Sequence, residues 1–270
     1  MSRKLKPASE SEFATRWLEL HDKCERALLP PTMIAFHAQA ERIEATIKRI
    51  KPASGAEFLL YYDADAEAKW FRKHLFQVLD LIAQGGATAA WQARPKHKKG
   101  LGPFKLPRFI RRAIKKFFGE LRDKNYWQKL QQASGNRAAQ VIEQSLDKRL
   151  SFPNMAKEVR KVLSGAVPGR AMAVARTETT GAMNAGQQVS LDAIDAELSG
   201  SNILMLKQWL SIIDKKTRED HIEANEQKIP ANSVNKFIVG GAELRYPGDP
   251  DAPPEQRINC RCAMITIFEE

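Results

Sequence analysis

The chain has 270 residues, of which 43% are hydrophobic, and it carries a formal net charge of +11. That size allows one large core or two modest ones. No run of eighteen apolar residues offers a membrane-spanning helix, and the basic start Met1–Lys6 is not followed by an apolar secretory segment. Three cysteines, two of them in a Cys-x-Cys pair, do not form a disulfide framework, so we expect a reducing compartment.

The first ninety residues have the periodicity of amphipathic helices. We predict helices over residues 9–29, over residues 32–50 and from residue 65 onward, with a loop at residues 51–55. Pro30 and Pro31 are predicted to separate the first two helices, because proline lacks a backbone donor and clashes with the preceding turn. Gly85 and Gly86 are predicted to end the third helix.

The positive charge is concentrated in the middle of the chain. Residues 94–129 contain thirteen Lys or Arg and two acids, which accounts for the whole formal net charge. A linker is predicted at residues 94–107 and a helix at residues 107–132, with its basic side chains turned away from its apolar stripe. The candidate contacts to nucleic acid are Lys96, Lys98, Lys99, Arg108, Arg111, Arg112, Lys115 and Lys116.

Such a basic stripe is typical of a surface that meets a polyanion. Its contacts to DNA phosphates would be independent of sequence and sensitive to salt. The chain has no helix-turn-helix or zinc-finger signature, so we expect no base-specific recognition. Two alternatives are a solvated helix face and a surface for an acidic protein.

The second half of the chain changes character after residue 202. Helices are predicted over residues 136–150, 153–163 and 169–194, and strands over residues 203–213, 236–244 and 258–268. The expected fold class is therefore α+β, with a mainly helical N-terminal part and a small α+β C-terminal domain. The boundary is predicted between residues 134 and 168, which gives a helical region at 1–134 and a C-terminal domain at 135–270.

The last strand places Cys260 and Cys262 on one face, because alternate residues of a strand point the same way. A zinc site formed by these thiols with His221 and either Asp214 or Glu223 is one interpretation. The preferred interpretation is that the cysteines are small buried packing residues. We therefore expect no cofactor, with zinc as the alternative.

Asp214, Arg218 and His221 form a second polar group in the sequence. Arg218 and His221 are three residues apart on a predicted short helix capped by Asp214 or Thr217, and Asp214 is placed to pair with Arg218. These side chains would form either a buried polar network or an acid, base and phosphate clamp. Glu178 lies on a helix of small residues, where a buried carboxylate requires a basic partner. The candidate partners are Arg218 and Arg261.

The order of these residues resembles the phage Mu F-like minor head proteins, or head morphogenesis proteins. The resemblance covers about residues 140–270 and rests on Ala175–Thr179, Asn184, Ala185, Trp209, Asp214, Arg218, His221, Tyr246–Pro250 and Asn259–Cys262. It implies a non-enzymatic component of the virion, made in the host cytoplasm, with portal protein, major capsid protein and double-stranded DNA as partners. Under this interpretation the residues with a structural role are Glu178, Trp209, Asp214, Arg218, His221, Asn259, Cys260 and Cys262.

Two other functions remain as alternatives. The first is a nucleic-acid-acting or toxin-like enzyme that uses His221, Arg218 and Glu178, since the family resemblance extends to domains that occur as toxin-like modules, and fold does not fix function. The second is a general DNA-binding protein unconnected with virions.

Overall fold

The structure is a computed structural model that describes residues 10–93, 106–121, 126–200 and 202–269. Within these ranges the helices are α1 (Glu10–Ile50), α2 (Gly55–Tyr61), α3 (Ala64–Ala93), α4 (Arg108–Leu121), α5 (Tyr126–Asp147), α6 (Phe152–Gly165), α7 (Val167–Leu198), α8 (Glu219–Glu223) and α9 (Pro254–Arg257). The strands are β1 (Leu204–Leu210), β2 (Lys228–Pro230), β3 (Phe237–Val239), β4 (Ala242–Leu244) and β5 (Ala263–Glu269). The predicted α+β class is confirmed.

The strands form two small antiparallel sheets near the C-terminus. The larger has the order β2-β1-β5, with Trp209 of β1 opposite Met264 of β5. The smaller is the hairpin β3-β4. Gly240 and Gly241 form its turn with φ of +55° and +77°, a conformation that side chains with a Cβ rarely adopt.

The chain divides into two compact units. The first comprises the described residues within 1–26, 79–117 and 176–270, and contains both sheets. Its core includes large side chains that are fully buried, among them Trp209, Phe237, Leu244, Tyr246 and Met264. The second unit comprises the described residues within 27–78 and 118–175. Its core is helical and includes Ile43, Ile47, Phe58, Ile142 and Val159. The domain boundary between residues 134 and 168 stays a prediction.

The predicted helix break at Pro30 and Pro31 is wrong, because α1 runs through both prolines. The carbonyls that lose their amide donors there belong to Arg26 and Ala27, which are exposed, so water can replace the missing bonds. In the next turn the hydroxyl of the buried Thr32 donates to a backbone carbonyl at 2.8 Å. Burial of this segment therefore outweighs the local preference of proline.

The predicted helix end at Gly85 and Gly86 is also wrong, because α3 continues to Ala93. A Cβ on Gly86 would lie 2.1 Å from the carbonyl oxygen of Met183 in α7. A Cβ on Gly186 of α7 would lie 1.9 Å from the carbonyl oxygen of Ala83. These glycines permit two helix backbones to touch, and this close packing explains their presence inside helices.

Other segments differ from their predictions in extent. The single strand predicted over residues 236–244 is the β3-β4 hairpin, and the strand predicted over 258–268 begins only at residue 263. Helices α2 and α9 and strand β2 were not predicted from the sequence. The helix predicted over residues 107–132 is described as parts of α4 and α5, while residues 122–125 and most of the predicted linker, 94–105, lie outside the described residues.

Candidate functional site

His221, Cys260 and Cys262 meet in the interior of the first unit. His221 is carried by α8, and the two cysteines lie on the segment between α9 and β5. Their Nδ1 and Sγ atoms all lie within 4.8 Å of one another. The His221 Nδ1 atom is 3.4 Å from Cys262 Sγ and 3.7 Å from Cys260 Sγ. The three side chains are 2–3% exposed, so solvent does not separate them.

A chain of hydrogen bonds fixes the orientation of the His221 ring. The side-chain amide of Gln256 donates to the Asp220 carboxylate at 2.7 Å, so its oxygen faces the imidazole. That oxygen is 3.0 Å from His221 Nε2, which must therefore carry the proton. The Nδ1 atom is therefore the ring nitrogen that faces the two sulfur atoms.

The two thiols differ in acidity. Their mutual hydrogen bond raises the pKa of Cys260 well above its usual range, and burial acts in the same direction. The same hydrogen bond holds the pKa of Cys262 well below its usual range, and the contact with His221 adds to this effect. Both cysteines are free of disulfides. Cys262 is therefore the more acidic of the two thiols.

Trp209 covers the His221 ring. The two rings meet edge to face with centroids 5.6 Å apart, and the Phe237 ring also meets the indole edge to face, at 5.4 Å. The indole donates to Ser211 Oγ at 3.1 Å, and the Ser211 hydroxyl donates in turn to the His221 carbonyl. Trp209 is fully buried, so the indole and its hydrogen bonds hold β1 against α8.

Asn184 connects α7 with the segment that carries the cysteines. Its amide nitrogen donates to the carbonyl oxygens of Pro247 at 3.0 Å and Cys262 at 3.1 Å. Its amide oxygen accepts from the Met264 amide at 3.1 Å. Asn184 is fully buried, and we expect it to hold three chain segments together.

Glu178 has the basic partner that was predicted, but the partner is Arg257 of α9. Glu178 Oε1 and Arg257 Nη2 are 2.7 Å apart, and the two side chains are 1% and 6% exposed. The predicted pairings with Arg218 and Arg261 are wrong. Arg257 lies in the short helix that the sequence analysis did not find, which explains why spacing alone did not suggest the pair.

Asp214, Arg218 and His221 do not form the predicted group. Asp214 pairs with Arg261, which lowers the pKa of the carboxyl, and it does not pair with Arg218. The Arg218 guanidinium donates to the Ile258 carbonyl. Arg218 itself is the N-cap of α8, so neither Asp214 nor Thr217 is the cap.

The structure does not bring Glu178, Arg218 and His221 together as an acid, base and phosphate clamp. Arg218 and His221 line a cavity of ≈ 20 Å³ whose lining does not include Glu178 or Asp214. Glu178 is engaged by Arg257, and the ring nitrogens of His221 face Gln256 and the sulfur atoms.

Asn259 contributes through its backbone. Its side chain is exposed, and its φ of +59° is a left-handed conformation that asparagine tolerates better than most residues. Its amide donates to the Thr177 hydroxyl at 3.0 Å. The turn at this position allows Cys260 to enter the interior directly afterwards.

A known protein family covers the part of the chain that contains this cluster. A model of the phage Mu protein F-like family matches residues 136–265, the part of the chain that contains the cluster and its supporting hydrogen bonds. Residues 136–265 belong to this family. The resemblance seen in the sequence is confirmed, and membership implies a protein of phage head morphogenesis. No curated protein and no solved structure matches the chain.

In the parts of the chain that the structure describes, none of the helices is both long enough and apolar enough to span a membrane.

The beginning of α1 packs on the Mu F-like domain, although it precedes residues 136–265. The Trp17 indole donates to the Arg261 carbonyl at 3.2 Å. His21 Nε2 lies 2.8 Å from the hydroxyl of Thr180, which itself donates to the Cys260 carbonyl. The Thr180 oxygen therefore accepts from His21, and the imidazole is neutral with its proton on Nε2. The sequence analysis missed His21, although it lies four residues after Trp17 on the same helix face.

Burial of His21 predicts a dependence of stability on pH. Desolvation lowers the pKa of His21 from 6.5 to about 4, against the smaller opposing effects of Glu25 and Asp22. Between these pH values the unfolded chain binds the proton and the folded chain does not. The free energy of unfolding therefore falls as the pH drops from 6.5 to 4, by about 3 kcal/mol from this group. Urea unfolding at a series of pH values measures the slope.

His21→Gln removes the titrating group and is expected to flatten the slope in this window. His74→Gln is the matched control, because His74 is exposed and its described contacts, ring stacking on Trp70 and a hydrogen bond to the Trp70 carbonyl, stay within its own helix. A His21→Gln variant with the full slope of the unmodified protein contradicts the assignment.

Lys207 is a second buried group of the Mu F-like domain that the sequence analysis missed. It is fully buried on β1, and its ammonium donates to Gln188 Oε1 at 2.9 Å and to the carbonyls of Asn232 and Arg245 at 3.1 and 2.9 Å. Burial lowers the pKa of Lys207 to about 8. The alternation of side chains along the strand could have predicted the burial of Lys207, because this residue shares a face with the buried Trp209.

The basic face of α4 lies outside the Mu F-like domain. Ile110 and Ile114 are fully buried, while the basic side chains at helix positions i, i+3, i+4, i+7 and i+8 are exposed. These exposed residues are Arg108, Arg111, Arg112, Lys115 and Lys116. Phe109 is 52% exposed beside them and touches Trp91 edge to face at 6.1 Å. Lys96, Lys98 and Lys99, predicted to extend this surface, lie outside the described residues.

Proposed function

We propose that this protein is a non-enzymatic minor head protein of a tailed phage or prophage. The match of residues 136–265 to the phage Mu protein F-like family carries this proposal. Several of the residues that carry the family resemblance are buried, whereas Asp214 and Asn259 are exposed. Glu178, Trp209, His221 and both cysteines of the pair are buried, and they contact one another or neighbouring segments rather than an open cleft. These residues support a stable module, so contacts with partners are left to other surfaces.

We propose that the exposed basic face of α4 contacts double-stranded DNA without sequence preference. Five cations on one face of a helix, over about 12 Å of axis, give a continuous row of positive charge. The stretch 108–116 contains no acid. Among the described residues, Arg108, Arg111 and Arg112 form no ion pair. Their charge is therefore available to phosphates, and the arginines suit bidentate contacts to phosphate oxygens.

The proposed location is the phage head, with the host cytoplasm as the site of assembly. The proposed protein partners are the portal protein and the major capsid protein, which family membership supports at the level of the head as a whole. A protein placed there is close to the packaged genome. A basic surface that binds any duplex is suited to that position, because the genome presents no single sequence.

The DNA contact is tested by measuring the affinity of the purified protein for a random-sequence duplex at several salt concentrations. Five phosphate contacts predict a slope of log K against log salt of about −4.5, and an affinity about 500-fold lower in 200 mM than in 50 mM salt. Charge reversal of Arg111, Arg112, Lys115 and Lys116 to glutamate is expected to lower the affinity at 50 mM salt at least about 100-fold and to flatten the slope.

The matched control reverses four exposed cations on α5, on α6 and between these two helices, so its net charge changes as much as that of the α4 variant. They are Arg137, Lys148, Lys157 and Lys161. If this control lowers the affinity as much as the α4 variant, the surface is wrongly assigned. Binding to an acidic protein but not to duplex DNA would also overturn the DNA contact. Cleavage of the duplex by the unmodified protein but not by His221→Ala would contradict the non-enzymatic role.

A further inference from the structure

Two sulfur atoms converge on one ring nitrogen in the interior of the Mu F-like domain. His221 Nε2 faces Gln256, so Nδ1 is the ring atom that faces the cysteines. Cys260 Sγ and Cys262 Sγ both lie within 3.7 Å of Nδ1. A cation shared by the three atoms accounts for the presence of both sulfurs, which packing alone does not require.

The distances fit a tetrahedral zinc ion. Zinc lies about 2.3 Å from sulfur and about 2.05 Å from nitrogen, so two tetrahedral ligands of these types are about 3.6 Å apart. The observed separations from Nδ1 are 3.4 and 3.7 Å. A ligand set of two thiolates and one imidazole also suits zinc by softness.

The surroundings supply what a bound ion needs. Two thiolates neutralise a divalent cation, so the occupied site carries no net charge in its buried position. Gln256 accepts from His221 Nε2 and is itself held by Asp220. Such a partner on the second ring nitrogen is the usual way in which a metal-binding histidine is oriented.

The cavity beside the cluster has space for a water molecule as the fourth ligand. The cavity of ≈ 20 Å³ beside the cluster is lined by His221, Cys260 and Cys262, and a single water needs about 10–15 Å³. Neither carboxylate suggested by the sequence reaches the cluster, since Asp214 pairs with Arg261 and Glu223 is exposed. A bound ion would connect α8, which carries His221, with the segment before β5, which carries both cysteines.

We propose that His221, Cys260, Cys262 and one water bind a zinc ion that fastens α8 to the segment before β5. The site is independent of the proposed function, because it requires neither DNA nor a head partner. It replaces the expectation that the cysteine pair serves in packing alone.

The test is the metal content of the full chain purified under reducing conditions, followed by removal of metal and titration with Co²⁺. About one zinc per chain is expected, and cobalt is expected to give the visible absorption of a tetrahedral cobalt–thiolate centre. Cys262→Ser should lose both signals. Cys24→Ser is the matched control, because this half-buried cysteine lies outside the cluster.

The proposed site is overturned if the unmodified chain holds no zinc and shows no cobalt–thiolate absorption. It is also overturned if Cys262→Ser holds as much zinc as the unmodified chain. The cobalt titration of the unmodified chain decides the question even if Cys262→Ser does not fold. Gln256→Ala keeps all three ligands and is expected to weaken zinc binding about 10- to 100-fold in competition with a chelator. Unchanged zinc affinity in this variant would remove the orienting role of Gln256.

Discussion

Replacing Asn184 with leucine is expected to lower the free energy of unfolding by about 4 kcal/mol. The substitution removes the donor for the Pro247 and Cys262 carbonyls and the acceptor for the Met264 amide. The side chain is fully buried, so water does not readily replace these bonds. Each unsatisfied buried group costs about 1–3 kcal/mol. Small movements of the three chain segments are expected to offset part of the summed cost of these lost hydrogen bonds.

Thermal and urea unfolding measure this effect. A loss of about 4 kcal/mol lowers the midpoint of thermal unfolding by about 10 °C for a domain of this size. The matched control is Asn154→Leu, because Asn154 is exposed on α6 and its loss is expected to change stability by less than about 0.5 kcal/mol. If Asn184→Leu unfolds at the same midpoint as this control, the hydrogen bonds of Asn184 do not hold the domain together.

Breaking the pair between Glu178 and Arg257 is expected to cost about 3–5 kcal/mol. Arg257→Met removes the guanidinium that lies 2.7 Å from the buried Glu178 carboxylate. Glu178→Leu removes that carboxylate from the buried Arg257 guanidinium. The double substitution removes both charges and fills the space with apolar groups. It is therefore expected to be more stable than either single variant, and within about 2 kcal/mol of the unmodified chain.

The exposed pair between Lys236 and Glu243 is the matched control for this cycle. Its nitrogen and oxygen atoms are 2.8 Å apart, but its side chains are 43% and 61% exposed, and water and salt screen the interaction. Glu243→Gln is expected to leave the unfolding midpoint unchanged. Additive effects in the Glu178 and Arg257 cycle would show that these two charges do not interact as the structure indicates.

The pattern of apolar residues in the sequence predicted the positions of the long elements. The helix α7 covers the helix predicted over residues 169–194, and the strand β1 lies within the strand predicted over residues 203–213. The rule failed where tertiary contacts outweigh local preference. Pro30 and Pro31 stay inside α1, and Gly86 stays inside α3 because its backbone touches α7. A single sequence does not show such contacts.

The sequence predicted which residues belong to the candidate site but not which of them form pairs. The ordered residues of the family identified the domain, and the need of Glu178 for a basic partner followed from the cost of a buried charge. The identity of the partner, Arg257, depends on where α9 packs, which no spacing rule gives. The orientation of His221 depends likewise on Gln256, an ordinary polar residue until it is seen between Asp220 and the imidazole.

The central claim is that the buried residues of the C-terminal domain stabilise the fold while the basic face of α4 binds DNA. It is tested most directly by the affinity of two variants for duplex DNA, measured at one salt concentration. One carries the four charge reversals on α4, and the other is Asn184→Leu at a temperature where it remains folded. The first is expected to lose DNA binding and keep its unfolding midpoint. The second is expected to keep DNA binding and lose stability. Loss of DNA affinity in folded Asn184→Leu, with affinity retained after charge reversal on α4, would contradict the account.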